Sequence, residues 1–302
     1  MDYELTEQQN DIRERTYRMA LKFIKPARER CDAEEEFPWD VVKAAAKSGI
    51  AGVYLPKEYG GMGGGTVELA LVIEQLSRVC GGIAMAFAAT GVGTLPIMLL
   101  GTAEQRERWI PDLASSKKLA AFSITEPAAG SDATATKTTA KLDGGHYVLN
   151  GTKIFVSNGE VADVYVVFAS TNPSRGARGV SAFVVEKGTP GFGFGKKERK
   201  MGIRANPTCE ICFQNCRVPK KNLLHKEGYG LFTAQTTFDF SRPGVAGQAL
   251  GIAQGALDET LSCIRQRRQF GLPVLGSQAI QHMMADCATS IEAARALLYA
   301  TA

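Results

Sequence analysis

Apolar and polar residues recur along this chain with a helical period at both ends and with a period of two in the middle. From residue 4 to about 117 the pattern is helical. Thr6 comes directly before a run in which Ile12, Met19 and Phe23 recur near helical spacing, which predicts a first helix capped by the Thr6 side chain.

Two strongly apolar helices are predicted later in this first region, in the segments TVELALVIEQLSRVC and GIAMAFAATGVGTLPIMLLG. The second segment is apolar on nearly every side, and such a helix is buried. Its small residues Thr90, Gly91 and Gly93 leave room for another group to approach the backbone closely.

Between about 118 and 227 the period changes to two. Short strand-like runs are separated by Asp-Gly-Gly and by two Asn-Gly pairs, at 150 and 158, which are strong hairpin signals. The alternation continues in VYVVFAS, GVSAFVVEK and TCEICFQNCRVP. This region therefore predicts a compact antiparallel β domain or barrel.

The helical period returns from about residue 228. A long amphipathic helix, on the order of 35–40 Å, is predicted from an apolar face made of Ala246, Leu250, Ala253, Leu257, Leu261 and Ile264. A second helix begins near Ser277 and runs to Ala302 without a stop signal, so we expect the natural protein to continue further. The predicted fold class is α+β with several domains: an N-terminal helical domain at 1–117, a β domain at 118–227 and an incomplete C-terminal helical bundle at 228–302.

Composition narrows the class of protein. Hydrophobic residues make up 45% and charged residues 22% of the chain, which is typical of soluble globular proteins. The net charge of +4 is too small to indicate nucleic-acid binding, and the densest basic cluster, KKERK at 196–200, is predicted to be a solvated loop. The N-terminus has no targeting pattern, and we expect no stretch to approach the ~20 continuous apolar residues of a membrane span. A cytoplasmic protein without a nucleic-acid partner is expected.

Three of the seven cysteines, Cys209, Cys212 and Cys216, are close enough in sequence to suggest a metal site. The segment alternates as a strand does, however, and this places Cys209 and Cys212 on opposite faces, where they cannot share one metal ion. We therefore predict no metal site. An odd number of scattered cysteines also fits a reducing compartment better than a disulfide framework.

Seven segments, each a weak signal alone, occur in an order and spacing typical of one enzyme family. They are LTEQQ, LPKEYGG, ITEPAAGSD, LNGTKIFVSNG, KMGIRANPTCEICFQNCRVPKKNLL, FDFSRPGVAGQALGIAQGALD and RRQFGLPVLGSQAIQHMMAD. Together they cover the whole length of the chain, which resembles the acyl-CoA dehydrogenase family.

The resemblance implies an FAD-dependent enzyme that removes the α proton of an acyl-CoA thioester while the β hydride passes to flavin N5. The product is a 2-enoyl-CoA, and the electrons pass to an electron-transfer flavoprotein. A homotetramer is also implied. The flavin carries the redox chemistry, and the protein supplies position, exclusion of water and a base.

The resemblance places FAD against two segments of the β region. The first contributes Phe122, Ser123, Ile124, Thr125, Gly130 and Ser131, with Ser131 also near the substrate. Its small residues allow the backbone to approach the cofactor. The second contributes Phe155, Val156 and Ser157, with Phe155 where the family usually has tryptophan. Without the resemblance, the first segment is interpreted as a turn rich in alanine and glycine, and Phe155 as ordinary strand core.

The FDFSR segment, at the predicted start of the long helix, matches the family's acyl-CoA contact and assigns Asp239, Phe240, Ser241 and Arg242 to the substrate. Arg242 suits a phosphate or carbonyl partner, since its guanidinium is always charged. Taken alone, the segment is equally a helix N-terminus capped by Asp239, with Arg242 on the surface.

Arg267, Phe270 and Gln278 match positions that bind the FAD of a neighbouring subunit in the family. Taken alone, they are a charged helix end followed by a loop. If the resemblance holds, the functional unit is at least a dimer.

A carboxylate suits the role of base once an apolar pocket raises its pKa. The family has this base at one of two positions. The first is Ser241 here, which cannot act as a base unaided, and the second is a glutamate in a C-terminal loop. We therefore expect the base beyond Ala302 and leave the catalytic residue unassigned. Ala88, Ala89 and Gly91 are expected in the wall around the acyl tail, and their small size permits a longer or branched acyl group.

Two rival functions stay open. One is an oxidase or other relative that passes electrons to oxygen or acts on a substrate without CoA, and oxygen consumption during turnover separates it from a dehydrogenase. The other is a non-catalytic flavoprotein. A basic face would be typical of it, and the net charge of +4 does not favour one.

Overall fold

The computed structural model describes residues 4–302. Seven α-helices are found in this part of the chain: α1 (Glu7–Met19), α2 (Arg28–Ala33), α3 (Trp39–Ser48), α4 (Thr66–Leu100), α5 (Ala103–Ala114), α6 (Gly230–Gln266) and α7 (Gln278–Thr301). The strands of the same part are β1 (Ala120–Ser123), β2 (Thr139–Asp143), β3 (His146–Ser157), β4 (Val164–Ser170), β5 (Val180–Glu186), β6 (Phe192–Lys197), β7 (Thr208–Pro219), β8 (Leu223–Leu224), β9 (Arg268–Gln269) and β10 (Leu272–Pro273). The predicted succession of helices, strands and helices is confirmed, whereas the domain limits at 117 and 227 stay a prediction.

The start of α1 follows the predicted pattern. The Thr6 side chain accepts a hydrogen bond from the backbone N–H of Gln9, and the Gln9 side chain completes the capping box. Ile12 and Met19 are buried. Phe23, however, is 39% exposed, contrary to the prediction. The reason is a π-helical turn at Ala20–Ile24, which shifts the register of the apolar face.

Helix α4 contains both predicted apolar helices, and non-helical backbone at Cys80 (φ −162°, ψ 111°) bends the chain between them. By length and composition, Thr66–Leu100 is able to cross a membrane, so the expectation that no stretch approaches that length is wrong. Of the most apolar 18-residue stretch of this helix, 67% is buried inside the structure. The core helix of a globular protein has the same properties, because its neighbours cover it on most sides.

The sheet is mixed rather than purely antiparallel. Its order is β6-β7-β3-β2-β4-β5-β8, with β1 added to β4. Most neighbours are antiparallel, as predicted, but β1 pairs with β4 in parallel, and β2 meets β4 in parallel at one residue pair. β1 enters the sheet directly from the helical region instead of through a hairpin, which allows the parallel direction. Within residues 4–302, β6 and β8 are the two ends of this order.

Strand β7 alternates as predicted. Cys209 and Ile211 are buried, while Cys212 is on the partly exposed face. Burial raises the pKa of Cys209 to about 12 and that of Cys216 to about 11, so both thiols are protonated at neutral pH. Across the described residues, no group of three or more His, Cys, Asp or Glu side chains is arranged to hold a metal ion.

Helix α6 packs along α4 through glycines that the hydrophobic pattern did not reveal. A Cβ atom added at Gly251 would lie 2.2 Å from a backbone oxygen of α4, and one at Gly255 would lie 2.1 Å from another. Ala246 and Ala253, which we predicted on the buried face, are exposed. The helix turns its glycines inward because only they allow the two backbones to approach so closely.

Candidate functional site

The first site segment follows β1, which rests on α4. Gly93 allows this contact, since an added Cβ would lie 2.7 Å from the backbone nitrogen of Ala121. One turn earlier, the Thr90 hydroxyl accepts a hydrogen bond of 3.0 Å from the buried Asn158 amide. The room predicted at Thr90 and Gly93 is therefore filled by the protein itself.

Phe122 of β1 lies half-buried between two other rings. Its centroid is 4.9 Å from that of Phe168 and 5.5 Å from that of Phe238. Phe238 belongs to α6, and the Arg242 guanidinium carbon lies 5.8 Å from its ring centre. Phe238 thus joins the β1 segment to the FDFSR segment. We did not assign it from the sequence, and its place in that motif was the available signal.

Residues 124 and 125 are partly exposed, and two backbone carbonyls hold them to β3. The Lys153 ammonium donates to the Ile124 carbonyl at 3.0 Å, and the Ile154 N–H donates to the Thr125 carbonyl at 2.9 Å. The structure therefore brings the two predicted flavin segments together near the C-terminal ends of β1 and β3.

The loop that follows turns back on itself at Glu126 and Ala129, whose backbones pair. Gly130 and Ser131, just beyond, are exposed. A Cβ atom at Gly130 would meet no other atom within 4 Å. The loop therefore presents an open surface of small residues, as the sequence predicts for a backbone that a cofactor approaches.

Phe155, Val156 and Ser157 end β3, where the pairing with β7 shifts register just after Lys153. Phe155 has a φ of +57° and is 60% exposed, so the interpretation as ordinary strand core is wrong. A positive φ is uncommon for an aromatic residue, and here a β-bulge imposes it. The Val156 side chain is buried in the core, which leaves only its backbone for a ligand.

The FDFSR segment lies inside α6 rather than at its start, because the helix begins at Gly230. Asp239 is therefore not an N-cap, and its carboxylate instead pairs with Arg242 across one turn at 3.2 Å, both side chains being mostly exposed. Ser241 is buried, and its hydroxyl donates to a carbonyl one turn back at 3.4 Å. Phe240 is 43% exposed. Residues 230–238 show no clear apolar period, so packing on the sheet decides their helical state.

Arg267 precedes the short hairpin of β9 and β10, Phe270 lies in its turn, and Gln278 begins α7 after it. All three are exposed. Phe270 has a φ of +51°, and its side chain is fully exposed. The structure thus brings together the residues around 122–131, 153–157 and 238–242. It leaves Arg267, Phe270 and Gln278 on an exposed surface beside the end of α6.

The predicted acyl-tail wall lies in α4. Ala89 and Gly91 are buried, and Ala88 is partly exposed. A Cβ at Gly91 would lie 3.8 Å from the Tyr54 hydroxyl oxygen, in ordinary contact. Burial raises the pKa of Tyr54 to about 12, so this neighbour, which the sequence reasoning missed, is a neutral hydroxyl at physiological pH.

Three family models match this chain in succession. They are the acyl-CoA dehydrogenase N-terminal domain at residues 6–117, the middle domain at 121–216 and the C-terminal domain at 228–302. The chain therefore belongs to the acyl-CoA dehydrogenase family, a family of flavin-dependent oxidoreductases.

Two curated relatives share 45% identity with the chain. One is an acyl-CoA dehydrogenase of Bacillus subtilis (strain 168), matched over 98% of this chain and 78% of its own length. The other is the acryloyl-CoA reductase (NADH) of Anaerotignum propionicum, matched over 99% of this chain and 76% of its own length.

Two solved structures share the whole fold. Butyryl-CoA dehydrogenase from Megasphaera elsdenii superposes with a TM-score of 0.96 at 40% identity, over 99% of this chain and 79% of that one. A chain in a structure described as the electron transferring flavoprotein of Acidaminococcus fermentans gives a TM-score of 0.97 at 46% identity, with 99% and 79% of the two chains covered.

FAD is the cofactor that the family implies, and the residues present fit it. Gly130 leaves open space in front of its backbone, Phe155 offers an exposed ring, and the buried Ser123 hydroxyl has no hydrogen-bond partner. A flat aromatic cofactor with polar edges needs a close backbone, a ring to stack on and free hydrogen-bonding groups. Residues 122–131 and 155–157, near the C-terminal ends of β1 and β3, supply all three of these features.

Proposed function

We propose that this protein is an FAD-dependent acyl-CoA dehydrogenase that converts an acyl-CoA thioester to a 2-enoyl-CoA. The contact between Phe122 and Phe238, with ring centroids 5.5 Å apart, is the observation that carries the proposal. It puts the segment predicted to bind acyl-CoA beside the segment predicted to bind the flavin. Membership of the family supports the same reaction.

FAD, when bound, accepts the hydride that leaves the β carbon of the acyl chain. The chain supplies the surroundings of that transfer. Thr125 and Ser131 are the hydroxyls proposed to bond the cofactor, and the ring of Phe155 is proposed to cover it. The Arg242 guanidinium is proposed to hold a phosphate or carbonyl of the acyl-CoA, since it offers several donors in one plane.

The α proton needs an acceptor, and we assign none among residues 4–302. Ser241 occupies a position at which the family resemblance implies a base, but its hydroxyl is buried and donates to a backbone carbonyl. A carboxylate held in an apolar pocket, where burial raises its pKa, is the proposed acceptor.

We further propose that the electrons pass to an electron-transfer flavoprotein, which the similarity to the chain from the Acidaminococcus fermentans structure supports. Exposed Arg267, Phe270 and Gln278 are proposed to contact the FAD of a second copy of this chain, in a homotetramer. Location in the cytoplasm stays a prediction.

An anaerobic titration of the FAD-loaded protein with a panel of acyl-CoA thioesters tests the function. We expect one thioester to bleach the oxidised flavin band, which would demonstrate the half-reaction and identify the substrate class together. If FAD is bound and no thioester bleaches it, the dehydrogenase proposal fails, and a relative that acts on a substrate without CoA or a non-catalytic flavoprotein takes its place. An acyl-CoA oxidase would be bleached in the same way, and oxygen consumption during turnover separates it from a dehydrogenase.

Reduction of an enoyl-CoA is a second candidate, favoured by the 45% identity to the acryloyl-CoA reductase of Anaerotignum propionicum. The same site serves both directions. NADH oxidation that depends on an enoyl-CoA and on the cognate electron-transfer flavoprotein would favour reduction.

A further inference from the structure

One ion pair of the structure has both of its side chains buried. The Lys153 ammonium lies 2.7 Å from a carboxylate oxygen of Glu126, and the two side chains are 0% and 4% exposed. The desolvation cost of such a pair is high, and replacing both partners with apolar residues is often neutral or stabilising. Stability alone therefore does not explain why these charges are inside.

The carboxylate of this pair closes the loop at 127–136. Glu126 stands before the loop and accepts hydrogen bonds from the two backbone N–H groups after it, those of Lys137 at 2.7 Å and Thr138 at 3.0 Å. Burial alone would raise the pKa of Glu126, but its bonds with Lys153, Thr138 and Lys137 outweigh burial and hold the pKa below its ordinary value. The loop that carries the predicted flavin contacts is thus anchored by a carboxylate.

The ammonium of the pair holds the other flavin segment. Residues two apart in a regular strand face the same side, yet Lys153 is buried and Phe155 is 60% exposed. The register shift just after Lys153 causes this reversal. The ammonium also donates to the Ile124 carbonyl at 3.0 Å, next to the bond between Ile154 and Thr125.

We propose that Lys153 and Glu126 are positioning residues for the flavin. Their ion pair fixes the backbone of residues 124–126 against the bulge at Phe155, so that both flavin segments keep one geometry. The inference rests on the proposed FAD-dependent function. Since fixed charges and hydrogen bonds around a flavin set its electronic properties, a displaced loop changes the flavin spectrum as well as the affinity.

The test compares Lys153→Met with the double variant Lys153→Met/Glu126→Gln. Arg217→Met is the matched control, because it breaks the exposed pair between Arg217 and Asp143 in the same sheet. Three quantities are measured: the Kd for FAD, the absorption band of the bound flavin, and hydrogen exchange at the amides of residues 137, 138 and 154 in the FAD-free protein.

We expect Lys153→Met to raise the Kd for FAD by about tenfold or more, as the loss of a hydrogen bond to a charged group does, and to shift the flavin band. Exchange at the three amides becomes faster. The double variant regains folding stability, since no unpaired charge is left. Its Kd for FAD and the absorption band of its bound flavin do not return to the wild-type values. The control matches the wild type in all three measurements.

The inference is overturned if Lys153→Met binds FAD with the wild-type Kd and spectrum, or if the double variant restores affinity together with stability, because the pair is then only structural. If Lys153→Met does not fold, Glu126→Gln, which keeps one acceptor oxygen, is judged by the same criteria. A wild-type chain that binds no FAD overturns the proposed function itself, which is a separate and recognisable result.

Discussion

Two regions assigned to the same cofactor are built in opposite ways. The sheet region, 122–131 with 153–157, is held by the buried pair of Glu126 and Lys153 and by backbone bonds between its two segments. In the hairpin region, Arg267, Phe270 and Gln278 are all exposed. Because Phe270 buries none of its side chain within its own chain, it adds no burial free energy to the folding of that chain.

This difference separates folding from assembly. The sheet region obtains its geometry from its own chain, so changes there affect both the free energy of unfolding and the cofactor site. The hairpin region contributes little to the stability of its own chain, so changes there should act on FAD binding and association alone.

The largest loss of unfolding free energy is expected from Glu126→Ala. The change leaves the Lys153 ammonium buried without its counter-charge, which typically costs about 3–5 kcal/mol of unfolding free energy. Chemical denaturation measures it. Glu210→Ala, at a partly exposed carboxylate of the same sheet, is the control and should cost far less. Equal losses for the two variants would contradict the importance of the buried pair.

A smaller loss is expected from Gly93→Ala. The added Cβ would lie 2.7 Å from the backbone of β1, and such overpacking costs about 1–3 kcal/mol. Gly276→Ala, where no atom lies within 4 Å of an added Cβ, should be close to neutral. Thermal unfolding of both variants measures the contrast, and an unchanged melting temperature for Gly93→Ala would show that β1 does not depend on the close contact with α4.

Acid should weaken the sheet region through Glu126. Its pKa in the folded state lies below the ordinary value of 4.5, so the carboxylate stabilises the fold above that pH, and the contribution is lost as the pH falls through the lower folded-state pKa. In Glu126→Gln this part of the acid sensitivity disappears. Unfolding free energies measured across the acid range should therefore fall less steeply for the variant, and parallel curves would contradict the assignment.

The smallest effect on stability is expected in the hairpin. Arg267→Ala and Phe270→Ala should each change the unfolding free energy by less than about 0.5 kcal/mol, as exposed positions do. Their affinity for FAD should nevertheless fall. If either variant loses stability in proportion to its loss of FAD, the separation of the two regions is wrong.

Much of the fold follows from local patterns in the sequence. The Thr6 cap, the Asp-Gly-Gly turn between β2 and β3 and the helix that starts after Ser277 are where the chemistry of single residues predicts them. The two predicted Asn-Gly hairpins are wrong: Asn150 and Gly151 lie inside β3, at a shift in its pairing with β7, and the turn at Asn158 leads from β3 to β4, which do not pair. The start of α6 is also not where the local pattern predicts it, because Gly230 and the buried residues after it are helical through tertiary packing rather than through a periodic apolar face. Packing against a neighbour overrides propensity there.

The open backbone at Gly130 and Ser131 was predictable from the small residues of the motif, while their contact with a cofactor stays a prediction. Side chains in unusual surroundings were not predictable. A lysine in a strand normally faces solvent, and only the bulge after Lys153 turns it inward. Phe238 and Tyr54 were missed for a related reason. Phe238 contacts Phe122, which is more than a hundred residues away in sequence, and Tyr54 lies against Gly91, some thirty to forty residues away.

Complementation between two defective variants tests most directly whether one chain supplies the sheet region and a second chain the hairpin region of each flavin site. Lys153→Met and Arg267→Ala, carrying different tags, are expressed together, and the mixed oligomers are purified and assayed for bound FAD. The account predicts that mixed oligomers regain roughly half of the wild-type FAD content, because one site in each pair then combines two native regions. If the mixed oligomers bind no more FAD than the average of the two variants alone, both regions act within one chain and the account is wrong.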